Sequence, residues 1–147
     1  SSVKALGFTP RVAFVSYSTF GNPMGERAEK VREAVAMLDA RDDIDFEYEG
    51  DISVDVAMNP GHKLVYPFSR LTDAANVLVM PAIHSAAIAT KILTSMSRAT
   101  VIGPILLGFE KPVQIASLGA TVNDIVNLAT FAAFDIDQLG HIPAAKE

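Results

Sequence analysis

The chain has 147 residues, 50% hydrophobic and 20% charged, the composition of a globular domain long enough to bury a substantial core. Twelve Lys and Arg against seventeen Asp and Glu leave a net charge of −5 with no basic run, which argues against nucleic acid as a partner. Without cysteine there can be no disulfide, thiolate nucleophile or iron–sulfur ligation, and no apolar run reaches the roughly 20 residues of a membrane span, so a cytoplasmic protein without membrane contact is expected.

Residues 1–10 lack the charged start and apolar centre of a signal peptide. Residues 12–16 are β-rich and apolar and read as a strand. The loop 17–23 follows, in which Asn22 is placed to cap a helix that Pro23 opens. Over 26–40, Ala28, Val31, Val35 and Leu38 recur at helical spacing, with Glu26 and Lys30 placed to pair on the other face. Residues 46–49 alternate aromatic and acid as a half-buried strand does, Gly50-Asp51 reads as a turn, and a short helix precedes Asn59-Pro60-Gly61.

The apolar run 76–80 lacks alternation and predicts a strand buried on both faces, central in its sheet. Ser85 is placed to cap a helix running to about residue 97, with Ile88, Ile92 and Met96 on one stripe. Residues 101–107 and 113–117 read as two further short strands around a turn. From Thr121 to Phe134 apolar residues wrap most of a helix, which predicts burial on nearly every side, and 140–147 reads as a polar, fraying tail. Strands alternating with helices predict an α/β fold with a largely parallel sheet, whose ligands lie beyond the carboxyl ends of the strands.

Small polar residues follow several of these strands. Ser16, Ser18 and Thr19 before Gly21 offer hydroxyls and amides to a phosphate, or simply make a turn. His84 and Ser85 end the third strand, and Lys91 lies two turns into its helix, where a lysine is ordinarily a solvated charge. Ser117 to Asp124 again leads a strand into a helix. Thr121 and Asp124 have capping-box spacing, and a hydroxyl and carboxylate converging there are also able to orient a nucleophile or an anion. His62, His84 and His141 are isolated, so no metal site is expected, and neither a Gly-x-Ser-x-Gly elbow nor a His-Glu-x-x-His helix is present.

The run IGPILLGFEKPVQIASLGATVNDIV at 102–126, with VSYST at 15–19 and VLVMP at 77–81, resembles the C-terminal part of phosphate acetyltransferase domains. SYSTFGNPMGERAEKVREAV, YPFSRL, VLVMPAIHSA and PVQIASLGAT are more closely similar to the phosphotransacetylase-like C-terminal domain of bacterial multidomain NADP-dependent malic enzymes. The similarity spans about residues 10–134. It implies a three-layer α/β/α fold with a largely parallel sheet, phosphate acetyltransferase-like and related to isocitrate and isopropylmalate dehydrogenases. It further implies that residues 1–147 are the C-terminal part of one such domain, with 10–134 as ordered core.

The family's activity uses a Ser-Arg-Gly motif with a downstream aspartate as base for the coenzyme A thiol. Ser117, Gly119 and Asp124 match this pattern, but Leu118 stands at the arginine position and offers a phosphoryl oxygen neither charge nor donors. The family's Pro-Asp-Leu-Asn-Ser/Thr-Gly-Asn run has become Pro81-Ala82-Ile83-His84-Ser85-Ala86-Ala87, while Lys91 still matches. The resemblance therefore implies a catalytically degenerate site at Ser117, Leu118 and Asp124. Ser16, Ser18, Thr19, Lys91, Ser117 and Asp124 would line a cleft for acetyl-CoA or CoA as effector. The implied role is an acetyl-CoA-sensing and oligomerisation domain within a homo-oligomer, with NADP and a divalent metal held only by malic enzyme catalytic domains elsewhere in the parent chain. The alternatives are an active phosphate acetyltransferase, making acetyl-CoA from acetyl phosphate and CoA, and a module serving oligomerisation alone.

Overall fold

The computed structural model describes residues 2–97, 100–107, 109 and 111–138. The chain divides into two compact units, Thr9–Ile92 in one and Ser1–Phe8 with Leu93–Glu147 in the other.

The Thr9–Ile92 unit is built on a parallel sheet. Strand β1 (Arg11–Val15) leads through helix α2 (Glu26–Asp39), numbered after the short α1 (Ser2–Ala5), to β2 (Glu47–Ile52). Helix α3 (Val54–Ala57) and a 3-10 turn at His62–Leu64 then connect to β3 (Val77–Val79), which opens into α4 (Ile83–Met96). The sheet order is β2-β1-β3, with Val12 opposite Tyr48 on one side and Val77 on the other. Asn76 holds the β3 register: its Oδ1 accepts from the Arg11 amide at 2.8 Å and its Nδ2 donates to the Thr9 carbonyl at 2.9 Å.

Ala13 and Val15 of β1 pack with Ile52, Ala57 and Leu71 into the main core, joined by Phe20, Leu78 and Met80. Helix α2 buries Ala28, Val31 and Val35, the face its spacing predicts, and Lys30 meets Glu26 at 3.5 Å. At Gly50 of β2 both β1 and α2 crowd the place where a side chain would begin. A Cβ there would lie 2.7 Å from Phe14 Cβ, 2.9 Å from the Phe14 carbonyl oxygen and 3.1 Å from Val35 Cγ2. Because one of these atoms is backbone, Gly50→Ala is expected to cost about 2 kcal/mol of overpacking, read as a lower midpoint in thermal denaturation.

Several sequence expectations need correction. Asn22 does not cap α2, whose N-cap is Gly25; the Asn22 amide and carbonyl are instead spent on Thr19 at 3.2 and 3.0 Å. Gly50-Asp51 does not turn but continues β2, with Asp51 buried. Ser85 lies inside α4, its hydroxyl donating back to the Ala82 carbonyl at 2.7 Å, so the helix begins two residues before it. β3 is not central: among the described residues it pairs only with β1, and Val79 keeps 39% of its surface exposed. An apolar run does not say which strands will flank it, and here β1 is the strand paired on both edges.

In the second unit, residues 101–107 and 113–117 form no ladder. The Gln114 side chain joins them instead, accepting from the Leu106 amide at 3.2 Å and donating to its carbonyl at 3.5 Å. Helix α5 (Val122–Gln138) starts one residue after Thr121, yet of its side chains through Phe134 only Leu128 is buried. An all-round apolar helix needs cover from several neighbours, and the described part of its own unit supplies too few. The tail at 140–147 and His141 lie outside the described residues.

Candidate functional site

The direction of the chain reverses at β1: α2 carries it to β2 on one side, and the next strand, β3, lies on the other. A crevice opens at the carboxyl ends of parallel strands at such a switch point. Here it is a cleft of about 880 Å³. Phe14, Ser16 and Tyr17 line it from β1 and its loop, and Arg27, Lys30, Val31 and Ala34 from α2. Val79 to Ala82, with His84, Ser85 and Ile88 of α4, complete the wall.

The loop after β1 is held from below. The Ser16 amide continues the ladder onto the Ile52 carbonyl at 3.0 Å. Phe20 (φ 51°) and Gly21 (φ 86°) then form a tight left-handed turn closed by Thr19 and Asn22. A positive φ is unfavourable for a bulky side chain. Its offsets are visible: the Phe20 amide donates to the Asp51 carbonyl at 2.8 Å, and its ring meets those of Tyr66 and Phe68 at 5.1 and 4.8 Å. Asp51 Oδ1 accepts from the Gly21 amide at 3.3 Å, and Oδ2 from Arg32 at 3.2 Å. Arg32 also bonds Glu29, and the Thr19 hydroxyl oxygen accepts from the Ser53 amide at 3.0 Å. Gly25 leaves room for Tyr17, since a Cβ there would fall 1.9 Å from the phenol oxygen.

Of the loop hydroxyls, Ser16 reaches the cleft and Thr19 is committed to Ser53. Ser18 is fully buried, and its Oγ makes no hydrogen bond among the described residues. Lys91 is exposed on α4 and does not line the cleft. Arg27, Lys30 and Tyr17 do line it but are not singled out in the sequence as ligand groups, because a basic pair on a helix face ordinarily marks solvent. Their signal is position, in the first turns after a strand and loop at a switch point.

His62 is structural. It is buried, with Nδ1 2.9 Å from the Asn59 carbonyl oxygen and Nε2 3.1 Å from Ser69 Oγ, so both ring nitrogens have hydrogen-bond partners within the fold. Among the described residues no group of three or more His, Asp or Glu side chains is arranged to hold a metal ion.

In the other unit the capping box at α5 is realised. Thr121 donates from its amide (2.8 Å) and hydroxyl (2.7 Å) to Asp124 Oδ2, while the Asp124 amide donates to Thr121 Oγ1 at 3.2 Å. The Thr121 amide, and then its hydroxyl, hold the Asp124 carboxyl below its ordinary pKa. Ser117 accepts from the Ala120 amide at 3.0 Å, and Leu118 between them is wholly exposed. A depressed carboxyl stabilises the fold above its unfolded pKa, near 3.9, and loses that effect as pH falls through the folded value. The first turn of α5 is therefore expected to fray on acidification, seen as faster amide exchange at 122–125 than in the middle of the helix once dilution of base is corrected for.

Residues 1–133 match the sequence pattern of phosphate acetyl/butaryl transferases. The chain belongs to that family. Within the phosphate acetyl/butaryl transferases it matches the phosphotransacetylase-like domain of NADP-dependent malic enzymes. It is 57% identical over 132 residues to the NADP-dependent malic enzyme of Rhizobium meliloti, covering 90% of this chain but 17% of that protein. It is 40% identical over 126 residues to the phosphate acetyltransferase of Buchnera aphidicola subsp. Acyrthosiphon pisum, covering 85% of this chain and 18% of that one. Its fold superposes on the EutD phosphotransacetylase from Staphylococcus aureus with a TM-score of 0.79 at 30% identity, over 91% of this chain and 42% of the other. The chain thus spans only a minor part of each relative. Among the described residues no helix is long and apolar enough to cross a membrane.

Proposed function

We propose that this chain is a regulatory domain of an NADP-dependent malic enzyme, binding acetyl-CoA and supporting assembly without itself transferring acetyl groups. Leu118 carries this reading. It stands where the family motif has arginine, it is fully exposed, and its side chain can give nothing to a developing phosphoryl charge. Asp124 supports it from the chemical side, since a carboxylate held low by two Thr121 donors is a poor base for a thiol of ordinary pKa about 8.5. The cleft at the switch point has the size of a ligand site, and the buried, unpaired Ser18 hydroxyl lies in its loop. Exposed Ile92, Met96, Ile125 and Val126 favour a homo-oligomer over an isolated copy. On this reading the complete domain is a three-layer α/β/α sandwich of dehydrogenase-like topology. The parent works in the cytoplasm, with NADP and a divalent metal in its separate catalytic domains.

Calorimetric titration with acetyl-CoA, CoA and acetyl phosphate, alongside an assay of acetyl-CoA formation, tests the proposal. Saturable acetyl-CoA binding without turnover is expected, weakened by Ser117→Ala. Bound ligand should raise apparent stability by about 2.7 kcal/mol at a hundredfold excess over Kd. Robust acetyl-CoA formation from acetyl phosphate and CoA would overturn it in favour of a working transferase.

A further inference from the structure

The charge on the cleft wall is one-sided. In a chain of net charge −5, the cleft is lined by the cations Arg27 and Lys30, with the His84 ring beside them, and, among the described residues, by no carboxylate. Arg27 is also distinguished from the other described arginines. Arg32 is bound to Asp51 and Glu29, Arg41 to Asp43 and Arg70 to Asp39, while Arg11 donates to the Ala74 carbonyl at 2.7 Å. Arg27 has no such acceptor among the described residues. Its neighbour Lys30 pairs only with Glu26 at 3.5 Å, both side chains being largely in water, where such a pair contributes little and is readily exchanged. Three residues apart on α2, the two cations lie on one face of the helix, above an apolar floor that includes Phe14, Val31 and Ile88.

A guanidinium without a partner beside an apolar floor suits a ligand with an anionic group at one end and an uncharged body at the other, and guanidinium geometry matches phosphate oxygens. We infer that Arg27, backed by Lys30 and His84, takes the phosphate group of a phosphorylated ligand in this cleft and is the residue on which that ligand's affinity chiefly depends. Two sources share this chemistry: a phosphate of acetyl-CoA, whose body would lie along the floor, and a small acyl phosphate or free phosphate. The acetyl-CoA source rests on the function proposed above, whereas the dependence on Arg27 does not.

The test is isothermal titration of the full chain with acetyl-CoA, acetyl phosphate and inorganic phosphate, in wild type, Arg27→Gln, Arg27→Lys and Lys63→Gln, with far-ultraviolet circular dichroism to establish that each variant is folded. A hydrogen bond to a charged group is worth enough that Arg27→Gln should weaken binding about ten- to hundredfold. Arg27→Lys, which keeps the charge but loses the planar fork, should fall between, and Lys63→Gln should bind as wild type. Acetyl-CoA bound equally by wild type and Arg27→Gln would overturn the role of Arg27 while leaving the sensor reading intact. Arg27-dependent binding of inorganic or acetyl phosphate without acetyl-CoA binding would support the inference and remove the sensor reading. Failure of all three ligands to bind folded wild-type chain would overturn both.

Discussion

Asp51→Ala is expected to destabilise the chain by about 3 kcal/mol, lowering the melting temperature by roughly 6–12 °C. The Asp51 side chain is 1% exposed, and it joins three segments that are distant in sequence. One oxygen accepts from the Gly21 amide in the loop after β1 and the other from Arg32 on α2, while its own carbonyl takes the Phe20 amide. Alanine leaves the Gly21 donor unmatched and opens a small void, the two ways in which loss of a buried acceptor costs most. The loss stops short of that for a fully buried ion pair, because Arg32 keeps Glu29 and some access to water. Asp51→Asn keeps the shape and one acceptor, so it should cost less than half as much. Because Ser16 and Tyr17 belong to the same loop, the alanine variant should also bind cleft ligands more weakly even under conditions where it is folded. A melting temperature within 2 °C of wild type would show that the loop is held mainly by the Phe20 ring contacts with Tyr66 and Phe68.

Asp51 also illustrates what is hard to read from the sequence alone. The amphipathic period of α2 is legible because Ala28, Val31 and Val35 satisfy a local rule, apolar residues three and four apart, that no other part of the chain can alter. The parallel α/β organisation is legible for the same reason, since strand and helix patterns alternate. On β2 the local rule fails. Glu49 reads as the polar side of a half-buried strand and Asp51 as part of a turn, yet both are buried. Their partners are remote: the Arg70 amide donates to Glu49 at 2.8 Å from 21 residues away, and Arg32 and Gly21 serve Asp51. A buried carboxylate is identified by its donors, and donors brought together by topology leave no period in the sequence.

The same distinction divides the candidate site residues. The capping box of Thr121 and Asp124 is a contact three residues apart, so both of its readings are open at the sequence level, and the geometry realises the capping one. The Arg27 and Lys30 wall arises only because α2 and the start of α4 border one crevice, which no spacing within α2 could disclose. Residues 101–107 and 113–117 mislead in a different way. Their apolar, β-branched composition satisfies strand propensity, but a strand also needs a ladder partner, and what they share is one Gln114 side chain.

Leu118→Arg is the substitution expected to change chemistry most. On the reading proposed above, in which the chain transfers no acetyl group for want of the arginine, restoring it in the full-length malic enzyme should raise acetyl-CoA formation from acetyl phosphate and CoA by about 10²–10³-fold, the scale on which one positioned charge-stabilising donor acts. The fold offers no obstacle. Leu118 is fully exposed in a turn, so a longer, charged side chain meets no packed neighbour and stability should stay within about 0.5 kcal/mol of wild type. The resemblance sets Ser117, Gly119 and Asp124 at the matching positions of the family motif. The lowered pKa of Asp124 sets the ceiling, because Thr121 holds that carboxylate as a weak base; pairing Leu118→Arg with Thr121→Ala should therefore exceed the single variant, at the expense of a frayed start to α5. Unchanged turnover in folded Leu118→Arg, together with unchanged acetyl-CoA binding, would overturn the part of the proposed reading that rests on Leu118 and turn attention to Ala82 and His84, which the resemblance sets opposite an acid and an amide of the family run.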